Sequence, residues 1–263
     1  MRIGGFGNWH FRLRLALGLV AGAVLFVFLV GNSQSNRSTA GQAPFGKAAK
    51  DIDDQSRPTV DFADSSNKRA DEVRKKKNTR YNGYGIVKAK PEPDAEVIWD
   101  SDWSHNLSDL PTDKSDVVVE GVIVDSNAFL SEDQSGIYSE FSISISRVFK
   151  APGDFSIPVG STVTAERFGG KVRYPSGQIV TYRIDGQGFP IVTKRYIFFL
   201  VDGGQDNYKL LTAYEIVGEK VYALDGSRIN FRGAGNWKFD KHNGEGVDSF
   251  IAKVISMIGG NSN

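Results

Sequence analysis

From Ile137 to Phe149 the chain alternates apolar and polar side chains, and that period leaves few ways to fold it. Ile137, Phe141, Ile143, Ile145 and Phe149 fall on one face, and Glu140, Ser142, Ser144 and Ser146 on the other. A period of two is the pleat of a β-strand, so the segment predicts a long antiparallel strand with one buried and one solvated face. Residues 116–125 (DVVVEGVIVD) are apolar on both faces and read as a central strand. Further strand-like runs follow at 161–168, 178–184, 195–201, 209–217 and 220–224, separated by Gly-, Pro- and Asp-containing turns. Short strands so punctuated predict an all-β barrel or sandwich. Val247, Phe250, Ile251, Val254, Ile255 and Ile258 then recur at helical spacing, with Asp248 as N-cap and Gly259-Gly260 as the stop. A C-terminal helix packed on the β-domain is expected, the whole spanning 96–260.

Upstream, Leu15 to Val30 is the only unbroken apolar run, and Arg2, Arg12 and Arg14 precede it. It is read as a single membrane anchor over 15–31, with Trp9, Phe11 and Phe28 as interfacial aromatics. Residues 1–14 are then cytoplasmic and the bulk of the chain extracytoplasmic, periplasmic or extracellular. A cleaved export signal is the other reading, and it gives the same destination. Residues 32–95 are polar and aperiodic, and are expected to form a disordered linker. Within them 68–80 (KRADEVRKKKNTR) reads as a solvated tether or a short frayed helix. Its functional alternative is a patch for anionic lipid headgroups or an acidic envelope polymer.

Composition narrows the chemistry. A net charge of +1 gives no reason to expect a nucleic-acid partner. With no cysteine there are no disulfides, no thiol nucleophile and no Cys-type zinc site. No HExxH, GxSxG, Walker A or GxGxxG spacing occurs, and no cofactor is expected. The densest polar cluster is Asp100, Asp102, His105, Asn106 and Asp109, an oxygen-rich set of the kind that hard cations use. Its spacing fits no EF-hand loop, so no metal is expected and Asp100, Asp102 and His105 stand only as weak candidates. Glu140 and Glu166 are the strand carboxylates that a hydrolase would use. Trp99, Trp103, Tyr174, Tyr182 and Trp237 form the candidate binding set, a groove for sugar or peptide. The alternative is that Trp99 and Trp103 staple the incoming chain onto the β-domain.

Four stretches carry a resemblance: SDVVVEGVIV at 115–124, Phe149-Lys150 ending the long strand, Gly169-Gly170, and RYIFFL at 195–200. Together they resemble a loose group of exported bacterial domains with an OB-like, netrin/TIMP-type barrel. The resemblance covers about half the chain and implies an OB-like antiparallel β-barrel. It does not imply protease inhibition, which in TIMP-type inhibitors needs an N-terminal cysteine. The expected function is a membrane-anchored, non-catalytic module that binds an envelope protein or polymer. Two alternatives stand beside it: a carboxylate-based envelope hydrolase, and an accessory subunit of a membrane complex packing through Gly18 and Gly22.

Overall fold

The alternating segment forms β4 (Ile137–Lys150), hydrogen-bonded along its length to an equally long β3 (Val117–Leu130). This hairpin is the spine of a computed structural model that describes residues 57–63, 72–83, 96–99, 101–153, 157–204, 207–226 and 237–260. The other strands are β1 (Thr59–Asp61), β2 (Glu96–Trp99), β5 (Thr162–Phe168), β6 (Gly170–Arg173), β7 (Ile179–Ile184), β8 (Arg195–Asp202), β9 (Asn207–Val217), β10 (Lys220–Ala223) and β11 (Glu245–Gly246). Two helices, α1 (Glu72–Arg80) and α2 (Val247–Gly260), and a 3₁₀ turn (Lys238–His242) complete the described elements. The protein is mainly β with a C-terminal helix, as the sequence predicts.

The larger sheet runs β11-β10-β9-β5-β4-β3-β8, and β9 also pairs with β8, which joins β3, β4, β5, β8 and β9 in a ring. The ring is not wholly antiparallel, since β5 and β9 run parallel. A second sheet, β1-β6-β7-β2, has parallel pairs at both edges. Inside the ring, Val119, Ile123, Phe141, Ile143, Phe198 and Leu200 are fully buried. The central-strand reading of 116–125 holds because Val118 turns outward into a second cluster with Ile197, Phe199 and Tyr214, which α2 covers. Gly121 lies so close to β4 that an added Cβ would sit 2.6 Å from the Ser144 carbonyl oxygen.

β4 departs from simple alternation at its end. Val118 pairs with Lys150 and Val119 with Val148, so Phe149 is the extra residue of a bulge. A bulge shortly before it, where Gly121 pairs with Ile145 and Glu120 with Arg147 and Ser146 is extra, switches the faces and sends Val148 toward the ring interior and Phe149 to the cluster beneath α2. In α2, Phe250, Ile251 and Val254 are buried, while Ile255 is 48% exposed and does not join the core. Asp248 falls in the first turn and not at the N-cap, and Gly259 and Gly260 are still helical.

Within 32–95 two described segments have regular structure, the second being the short helix that is one of the two readings of 68–80. Residues 59–61 add an edge strand to β6, and residues 72–80 fold as α1 against the outer face of β4 and β5. Composition did not announce this, because α1 has no apolar stripe and is held by charge. Among the described residues no helix is long and apolar enough to cross a membrane. The apolar run at 15–31 and Asp100 lie outside the described residues.

Candidate functional site

Two clusters of polar side chains stand out, one beside α2 and one beneath α1. The first is organised by His242, buried at the end of the 3₁₀ turn with its ring edge-on to Tyr214 and Phe250. Its Nδ1 is 2.9 Å from Glu245 Oε2 and its Nε2 is 3.1 Å from Asp109 Oδ2, so a carboxylate meets each ring nitrogen. Lys241 donates to Asp109 at 2.8 Å, and Lys253 pairs with Glu245 at 2.7 Å. Burial alone would raise the Asp109 carboxyl, but hydrogen bonds from Lys241 and His242 outweigh it and hold it below the usual carboxylate range. Glu245 is likewise pushed up by burial and pulled down further by Lys253, His242 and Ser249, to about 2.

This network walls an open groove of about 650 Å³ between α2 and the 3₁₀ turn. Ser249, Ala252, Lys253 and Ser256 line it, at the i, i+3, i+4 and i+7 positions of one helical face. Asp109, Lys241 and His242 form the opposite wall, and Met257 stands at the rim, 37% exposed. The groove presents hydroxyls, ammonium groups and a thioether side by side, the mixed chemistry of a recognition surface.

The second cluster lies where β4 and β5 pair Glu140 directly with Glu166, and Tyr138 with Phe168. Alternation assigned this face of β4 to solvent, yet Glu140 is 8% exposed and Glu166 only 1%. α1 is the reason. Arg74 and Lys77 reach Glu140 Oε1 at 2.8 and 2.9 Å, and Arg80 pairs with Glu166 Oε1. Tyr81 Oη donates to Glu166 Oε1 at 3.0 Å, and Asn207 Nδ2 to Oε2 at 2.8 Å. Like charges directly across a strand pair repel. Here a basic helix neutralises both. Burial and the adjoining Glu166 raise the Tyr81 phenol well above its ordinary range.

The aromatic residues singled out from sequence do not share one groove. Trp99 packs on Phe168, with ring centroids 4.5 Å apart, in the small cluster under α1. Tyr174 and Tyr182 join hydroxyls at 2.7 Å in the core of the smaller sheet, where Tyr182 is 1% exposed. Trp103 stacks on Phe239 at 5.7 Å and donates Nε1–H to the Asp185 carbonyl at 3.1 Å. Trp237 lies against Gly186, whose φ of +73° and want of space exclude a side chain there. The stapling alternative describes Trp99 and Trp103 better than a groove does.

The 100–109 loop is also divided. Asp102 and His105 lie 3.5 Å apart, both exposed, while Asp109 belongs to the His242 network. A cation does reach this loop, but it is Lys238. Its ammonium donates to the carbonyls of Ser104 and Leu107 at 2.6 and 2.7 Å. Among the described residues no three His, Cys, Asp or Glu side chains are placed to hold a metal.

Sequence reasoning missed His242, Glu245 and the groove. The signal was faint: two basic residues before Asn-Gly, then a helix with serines at one spacing. No protein-family model and no curated protein matches this chain.

Proposed function

We propose that this protein is a membrane-anchored, extracytoplasmic β-module that binds an envelope protein or polymer without catalysing a reaction on it. The groove beside α2 carries the reading. One face of the helix is spent on the core, and a second offers hydroxyl, ammonium and apolar groups to a chain lying alongside. The ring of β3, β4, β5, β8 and β9 supports an OB-like description, because OB folds close five strands and bind polymers through the ring and its loops. Anchoring through 15–31 rests on the apolar run and its arginines.

The paired Glu140 and Glu166 favour a hydrolase as the second reading. Against it, both oxygens of Glu166 and Oε1 of Glu140 are engaged by Arg74, Lys77, Arg80, Tyr81 and Asn207. Incubating the full-length protein with isolated envelope polymer separates the two. The binding reading expects no soluble fragments above the blank. Fragment release that Glu140→Gln abolishes, with the fold retained, would establish the hydrolase.

A further inference from the structure

α1 is a helix that its own sequence does not support. It has nine residues, EVRKKKNTR, where isolated helices shorter than about 12–15 residues are marginal in water. What holds it is directional. Arg74, Lys77 and Arg80 face the domain and meet Glu140 and Glu166, while Lys75 and Lys76 face solvent. Arg74 also lies over the Phe129 ring, 3.8 Å from its centroid, and Asn78 accepts a hydrogen bond from Tyr138 at 2.7 Å.

The residues just after the helix are held differently. Tyr81 is buried and stacks on Tyr138 with centroids 4.4 Å apart. Gly83 N–H donates to Asp133 Oδ2 at 3.0 Å and to Ser135 Oγ at 2.8 Å, and Asp133 N–H donates to Asn82 Oδ1 at 3.1 Å. The turn at 81–83 is therefore fastened to the β3–β4 hairpin by stacking and backbone bonds, and α1 to the strands chiefly by charge, with one neutral bond from Tyr138 to Asn78.

We propose that α1 is an electrostatic strap, hinged at the 81–83 turn, that a polyanion lifts off the Glu140–Glu166 pair. In the seated state a polyanion meets chiefly Lys75 and Lys76. In the lifted state it meets Arg74, Lys77 and Arg80 as well. A ligand shifts a two-state equilibrium only by its differential affinity, and three further cations supply that difference. Lifting also exposes a carboxylate pair that no longer has its counter-charges, so the opened face becomes acidic. The strap is independent of the α2 groove and of the function assigned to it.

Hydrogen exchange on the full-length protein, with and without long-chain inorganic polyphosphate, tests this. Polyphosphate is expected to speed exchange of the 72–80 amides about tenfold or more, while β4, β5 and the β3–β4 turn keep their protection. Arg74→Gln combined with Lys77→Gln leaves the strands untouched and should give the same local loss of protection without polyphosphate. Unchanged protection of 72–80 in either experiment would overturn the proposal. So would a loss that spreads equally to β4 and β5, because α1 would then be an integral part of the fold.

Discussion

Glu245 shows how much one side chain can couple. It accepts from His242, Ser249 and Lys253, tying the 3₁₀ turn to the first and second turns of α2. Its carboxyl titrates at about 2 in the folded protein against an ordinary 4.5. A depressed carboxylate contributes stability above its unfolded pKa and loses it as pH falls through the folded value. Asp109, also depressed, acts in the same direction. Thermal unfolding followed from pH 6 downward should therefore show Tm falling between about pH 4.5 and 2. Glu245→Gln should be less stable at pH 6 and show a shallower fall across that window. An unchanged slope in the variant would mean that Glu245 does not contribute through its charge. The sequence around His242 carries only a faint sign of this network, because its members come from residue 109, the 3₁₀ turn and α2, which only the tertiary fold brings together.

Elements with a strict period were legible, and elements held by something other than an apolar face were not. β4 was readable because Phe141, Ile143 and Ile145 line the ring interior in every second position. Its far end departs from that period where the bulge at Ser146 shifts the pleat, an event that leaves no mark in residue type. The segment of α1 reads as a tether or a short frayed helix, with no docked face, because its contacts are ion pairs and a stacked tyrosine, which no hydrophobic period reveals. α2 was found by its period, yet Ile255 follows that period and stays exposed. The register of β4 has a sharp consequence. Ile143→Asp buries an unpaired charge inside the ring and should cost more than about 4 kcal/mol in a denaturant titration. Ser144→Asp, on the half-exposed face, should cost less than about 1 kcal/mol. Equal losses at the two sites would show that the two faces are not as different as the structure has them.

At the scale of the molecule, two polar clusters differ in how far they are covered. Beneath α1 a carboxylate pair is already neutralised by cations of the same chain. Beside α2 the charged groups are mutually paired at the wall of a groove that remains open. The Arg167–Asp225 pair, buried with two hydrogen bonds at 2.6 and 3.0 Å, belongs to neither and fastens β5 to the end of β10. The partner of the proposed binding function is thus expected at the groove and not at the Glu140–Glu166 pair. The most direct measurement places a photo-crosslinking amino acid at Ser256 in the groove and, separately, at Ser176 on the exposed turn between β6 and β7. Irradiated cells making the full-length protein should yield adducts from position 256 and none from 176. A discrete band would identify a protein partner, and a broad smear a polymer. Adducts absent from both positions, or equal at both, would contradict the assignment of the groove as the binding face.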